Sequence, residues 1–217
     1  MDIIMGVISF ILHIDQNLVL MVNQFGSWTY VLLFLIVFIE TGVVIFPFLP
    51  GDSLLFAAGA MTALHGSKLS LPILMLVTVL GAILGDSLNY EIGKKIGHQL
   101  VKYPRLSKLI NQEKLEKAEE FFNTHGGSTI FLGRFIPFIR TFIPFTAGAS
   151  SMRYSHFAMF NAIGGICWVA VGTLAGFFFG NIPFVAAHFS VVVLGIVAVS
   201  LIPVFITAIK SKRVPTN

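Results

Sequence analysis

Residues 133–148 read GRFIPFIRTFIPFTAG, and this stretch decides how the rest of the chain folds. It sets Arg134 and Arg140, with Pro137 and Pro144, inside an otherwise apolar run. An arginine at depth in lipid costs at least ~3 kcal/mol, so two in one short segment require partners or a watery cavity. Each proline lacks an amide hydrogen and clashes with the turn before it, so one uninterrupted helix is not expected here. A broken, doubly cationic apolar segment makes a poor anchor and a good site.

The chain has 217 residues, 56% of them hydrophobic and 11% charged, with a mean hydropathy of +0.88. Soluble domains carry about 25% charged residues. The class is therefore an all-α polytopic membrane protein built as a single domain. Of 14 Lys and Arg, seven fall between Lys94 and Lys117, and three close the chain at Lys210, Lys212 and Arg213. Basic residues placed in this way are topology signals and do not suggest a nucleic-acid partner. The single cysteine, Cys167, excludes an intrachain disulfide framework. The N-terminus has no basic segment before its first apolar run, so no cleavable signal peptide is expected.

Ile3 to Val22 is apolar but holds His13, Asp15, Gln16 and Asn17, which suits an interfacial or packed helix better than an isolated span. From Val31 an apolar run reaches Glu40. TGVVIFPFLPGD follows as far as Asp52, then a short apolar arm, Ser53 to Leu64. About 20 residues are needed to cross a bilayer. An arm this short after a Pro-Gly break predicts a re-entrant hairpin, tolerated only where protein or water covers its backbone. Leu71 to Gly97 reads as a span with Gly81, Gly85, Gly93 and Gly97 at multiples of four, a pattern that lets another helix approach closely. The organisation expected is a first repeat over 28–97, a cytoplasmic amphipathic linker over 98–127, a second repeat over 128–180 and a C-terminal transmembrane helix over 189–210. Within the second repeat, Phe157 to Phe179 reads as a clean span.

The halves echo each other. Ala57-Ala58-Gly59-Ala60 ends the first broken segment and Thr146-Ala147-Gly148-Ala149 the second, while Gly81, Gly93 and Gly97 match Gly164, Gly176 and Gly180 at an offset of 83. With the basic segments placed in the cytoplasm, the repeats run in opposite directions. Inverted repeats with broken helices are a transporter architecture, with the site where the breaks meet. The first break carries Glu40 and Asp52 and the second carries Arg134 and Arg140, so facing breaks would compensate one another's charge.

FIETGVVIFPFLPGDSLLFAAGA (38–60), GDSLNYEIGKKIG (85–97) and GRFIPFIRTFIPFTAGA (133–149), in this order, resemble the DedA family of bacterial membrane proteins, also called the SNARE-associated or VTT domain. The likeness covers nearly the whole chain, from FILHID at Phe10. It implies two opposed re-entrant hairpins, each followed by a glycine-rich helix, in the bacterial cytoplasmic membrane. It also implies recycling of the lipid carrier undecaprenyl phosphate, dependence on proton motive force, and functional residues at Glu40, Asp52, Arg134 and Arg140.

For Arg134 and Arg140, planar bidentate bonding to an anionic head group stands against permanent pairing with an acid. Glu40 and Asp52 are candidates for proton coupling; a fixed ion pair is the alternative, as is a cap of the following arm for Asp52. Asp86 is a third candidate for proton coupling; with Asn89, Tyr90 and Glu91 it either extends this polar path or bonds a neighbouring helix. Thr141 either donates to a phosphate or back-bonds to the preceding turn. The histidines are dispersed without metal-ligand spacing, so no metal or cofactor is expected. No GxSxG, no acidic metal cluster and no histidine beside the arginines to act as nucleophile is present, so no enzyme is expected either. The functions left are a translocase of a lipid-linked phosphate, with lipid as its partner, and a proton-coupled exchanger of small ions or cationic drugs. The glycine faces leave room for a homo-oligomer.

Overall fold

A computed structural model describes residues 25–43, 51–63, 67–100, 124, 126–136, 139–150, 152–180 and 182. The N-terminal apolar segment, most of the expected linker and the expected C-terminal helix lie outside these residues. Among the described residues the secondary structure is helical, in six elements: α1 (Trp28–Gly42), α2 (Gly51–Ala63), α3 (Leu71–Leu100), α4 (Ser128–Gly133), α5 (Ile139–Ala149) and α6 (Tyr154–Gly180). Two of them carry stretches long and apolar enough to cross a membrane, Leu71–Ile96 and Tyr154–Gly180, with mean hydropathies of 2.0 and 1.9.

The interruptions fall where the chain chemistry demands. Pro72 sits in the first turn of α3, where its missing N–H has no intrahelical partner to lose. Gly126 takes a φ of 61°, a left-handed turn open to a residue without Cβ, just ahead of α4. As expected, the arginine-bearing segment is not one helix: it is broken between α4, which ends at Gly133, and α5, which begins at Ile139. Pro144 lies inside α5. Its ring removes one rung, the bond that would reach the Arg140 carbonyl, and the rest of the helix continues around it.

The described residues form two compact units. The first holds those within Met1–Leu32, Phe48–Val77 and Val169–Asn217; the second holds those within Leu33–Pro47 and Thr78–Trp168.

In the first unit, α2 is buried along most of its length and lies on the glycine face of α6. A Cβ at Gly59 would strike the Thr173 carbonyl, and one at Gly176 the Phe56 carbonyl. Backbones approach this closely only because small residues meet at the crossing. The Tyr30 hydroxyl accepts the Ser70 N–H at 2.6 Å, tying the start of α3 to α1.

In the second unit, α3 is the central element. Its outward stripe of Leu80, Leu84 and Leu88 is exposed, as befits a lipid-facing side, while its glycines take the neighbours. Gly81 faces the Phe34 carbonyl, and Gly85 faces Phe38 and Thr41, all on α1. One turn beyond, Gly93 faces the Phe145 carbonyl and Tyr90 faces Gly148, both on α5. Helix α4 folds back on α5, with Gly133 against Ile143. A buried cluster of Tyr90, Ile130, Ile143, Ala147 and Phe157 fixes α4, α5 and α6 on α3. The Tyr90 ring stacks on Phe157 at 4.7 Å, and its hydroxyl donates to the Met152 carbonyl.

Candidate functional site

All the groups of the site lie in the second unit. Arg134 is the first residue beyond α4 and is buried. Its Nη1 pairs with Asp86 Oδ2 of α3 and donates to Asn161 Oδ1 of α6 at 2.7 Å. The Asn161 amide is oriented by its other end, which donates to the Ile83 carbonyl at 3.2 Å, so its oxygen faces the arginine. Gly164 and Gly165 make the slot for this side chain. A Cβ at Gly164 would lie 3.3 Å from Arg134 Cδ, and one at Gly165 would lie 3.5 Å from Nη2.

Arg140, in the first turn of α5, reaches Glu40 near the end of α1, with Nη2 at 2.5 Å from Oε1. Glu40 is 1% exposed. Both guanidiniums sit over one ring: Arg134 Cζ is 5.5 Å and Arg140 Cζ 5.1 Å from the Trp168 centroid. An indole face is the best neutral partner for a cation and lowers the cost of holding two of like charge together. Thr41, Asp86, Arg134, Arg140, Thr141 and Trp168 line a small pocket. The two arginines are balanced in charge by their paired acids, Glu40 and Asp86.

One edge of Arg134 is left over. Its Nε and Nη2 are buried and have no hydrogen-bond acceptor among the described residues. Buried donors almost always have partners, so each exception needs a reason. The Nε–Nη2 edge is one of the forks by which a guanidinium grips a carboxylate or phosphate with two parallel bonds.

The structure thus brings Glu40, Asp86, Arg134, Arg140 and Thr141 to one place. The expected counter-charges were Glu40 and Asp52. Glu40 does pair with Arg140, but the partner of Arg134 is Asp86, while Asp52 stands in the first turn of α2 in the other unit. The reason is helical register: Asp86 follows Gly85 on the packed side of α3 and is buried there. Thr141 is buried as well. Trp168 and Asn161 were not singled out for the site, whereas Asn89 was read with Asp86 as part of its polar path. The span expected to be clean carries Asn161, Trp168 and Thr173 on its buried side, and that interruption of an apolar run was the available signal. Among the described residues no group of His, Cys, Asp and Glu is placed to hold a metal ion.

Buried arginine–carboxylate pairs between glycine-packed apolar helices define a membrane protein with an internal polar site. The VTT domain model matches residues 49–178, and the chain belongs to the DedA family. It is 46% identical over 213 residues to Protein DedA of Escherichia coli strain K12, covering 98% of this chain and 97% of the relative. An uncharacterized membrane protein of Mycobacterium tuberculosis strain H37Rv is 42% identical over 193 residues, 89% of this chain and 84% of its own. Inner membrane protein YqjA of E. coli strain K12 is 35% identical over 154 residues, 71% of this chain and 69% of its own. No solved structure matches the chain.

Proposed function

We propose that this protein translocates a lipid-linked phosphate across the cytoplasmic membrane, with undecaprenyl phosphate, the carrier the family resemblance implies, as the substrate. The observation that carries the proposal is the buried, unpartnered Nε–Nη2 edge of Arg134 beside Arg140. The phosphate takes that edge, Thr141 is positioned to donate, and the polyprenyl chain stays in lipid. Arg140 is held by Glu40 until the carboxylate takes up a proton. Proton uptake would then release the second guanidinium to the phosphate, which links loading to proton motive force. Asp86 keeps Arg134 aimed throughout, and Asp52 is the candidate proton carrier of the first repeat. The reaction moves the phosphate and leaves its bonds intact.

The architecture proposed for this movement is a pair of inverted repeats with re-entrant arms, inserted as a multi-pass protein with the linker and C-terminus in the cytoplasm. The packing supports it. Phe56 on Gly176 and Gly59 on Thr173 recur as Phe145 on Gly93 and Gly148 on Tyr90. The arm residues are offset by 89 and the span residues by 83. Each arm therefore lies on the span of the other half in the same way. The exchanger of small cations has weaker support, because the buried acids Glu40 and Asp86 already pair with arginines.

Reconstituted protein should carry undecaprenyl phosphate across vesicles, faster with an imposed pH gradient, and Arg134→Ala and Arg140→Ala should each abolish it. Normal transport in both variants, with protein inserted at wild-type level, would remove the arginines from the mechanism. Flux of soluble cations without lipid phosphate would favour the exchanger.

A further inference from the structure

The glycines of α3 recur every four residues at positions 81, 85, 93 and 97, and the one place in that series without a glycine is Asn89. Its side chain is fully buried, between the notch that takes α1 and the notch that takes α5. Nδ2 donates to the Thr41 carbonyl at 3.2 Å and to the Thr141 carbonyl at 2.8 Å. Two carbonyl oxygens can be met only by a donor, so the nitrogen end of the amide faces them.

Thr41 is one residue from the end of α1, where the last carbonyls have no intrahelical donor. Thr141 is in the first turn of α5, one residue after the carbonyl that Pro144 deprives of its donor. The residues just before them in the chain are Glu40 and Arg140, which form the ion pair of the site. One amide thus grips the backbone immediately after each member of that pair.

We infer that Asn89 is a positioning residue: an amide clip that sets the register of Glu40 against Arg140, so that the pair cannot separate without breaking or carrying the clip. A glycine at 89 would continue the small-residue series and permit the same close approach, but would remove the one donor that the two carbonyls share. The polar residue stands at the one rung of α3 where α1 and α5 both come within its reach. Its effect on transport rests on the translocation reading above; its effect on the arginine does not.

Trp168 supplies a readout of the clip, since Arg140 lies 5.1 Å from its ring. The chain has two tryptophans, and Trp28 is 69% exposed, so Trp28→Phe leaves Trp168 as the sole emitter at little structural cost. In that background Asn89→Leu keeps the branched shape with somewhat greater bulk and removes both donors, and Asn89→Gly removes side chain and donors together. The proteins are reconstituted in phosphatidylethanolamine–phosphatidylglycerol vesicles and quenched with acrylamide, and undecaprenyl phosphate transport is measured in the same vesicles.

The clip predicts an increase of about twofold or more in the Trp168 quenching constant, and a fall in transport of about tenfold, the scale of two lost hydrogen bonds. Either variant that inserts at wild-type level decides the matter alone. Unchanged quenching overturns the inference, whether transport is normal or uniformly reduced. Raised quenching with normal transport overturns the link to function. Raised quenching in a protein whose parent moves no lipid phosphate upholds the clip and overturns the translocation reading instead.

Discussion

Removing the Asp86 carboxylate should destabilise the protein more than any single exposed substitution, and the structure sets the size of the effect. Arg134 is buried, and Asp86 is its only paired acid among the described residues. Breaking a buried pair by deleting one partner costs about 3–5 kcal/mol, because the remaining charge is left without compensation. Asn161 still accepts from Nη1 at 2.7 Å, and the Trp168 face still lies 5.5 Å from Cζ. Asp86→Leu is therefore expected at the lower end, about 3 kcal/mol. For a chain of this length that is a fall in Tm of about 6–12 °C. Asp86→Asn keeps the shape and one acceptor, and should fall between Asp86→Leu and the wild type. The double variant Asp86→Leu/Arg134→Leu removes both charges, so it should cost less than the sum of the singles by about 2 kcal/mol. The assay is thermal unfolding of detergent-purified protein, with membrane insertion checked for each variant. Additive singles, or a Tm for Asp86→Leu within about 2 °C of wild type, would refute the pairing and the charge balance built on it.

Three further outcomes follow from the packing. Gly93→Ala and Gly176→Ala each drive a methyl into a backbone carbonyl of the arm opposite, so each should cost about 1–3 kcal/mol by thermal unfolding, and by similar amounts. Trp168→Leu keeps an apolar side chain but removes the face shared by Arg134 and Arg140. Transport should fall by about tenfold at normal protein level, while Trp168→Phe, which keeps an aromatic face, should retain more activity than Leu. Tyr90→Phe preserves the stack on Phe157 and loses the bond to the Met152 carbonyl. It should lower stability by about 1 kcal/mol, read as a Tm shift of about 2–4 °C.

Much of the site was legible because lipid makes polar groups conspicuous. Glu40, Arg134 and Arg140 stand out in apolar runs, and a charge that costs several kcal/mol is not kept without a partner. The glycine spacing of α3 gave the packing face for the same reason, since only small residues allow backbones to meet there. The partner of Arg134 was not legible. Asp86 and Asp52 are equally acidic in the sequence, and only the fold decides which carboxylate reaches which guanidinium. Asn161 and Trp168 were hidden by averaging, because one amide and one indole scarcely lower the hydropathy of a 27-residue helix. That α5 runs through Pro144 was not legible either: a proline removes one hydrogen bond, and whether the helix ends there depends on what packs around it.

The way α2 lies on α6 also sets an order of assembly. When α5 emerges from the ribosome, α3 is already made, and the glycine notch at Gly93 awaits it. When α2 emerges, its partner does not yet exist: Phe56 must wait for Gly176, more than half the chain later. During that interval an apolar arm too short to cross a bilayer alone lacks the glycine face of α6 that it rests on. The first half of this protein is thus born dependent on the second. A truncation after α5 should consequently leave α2 exposed to quality-control proteases, although every residue that α2 itself contains is present.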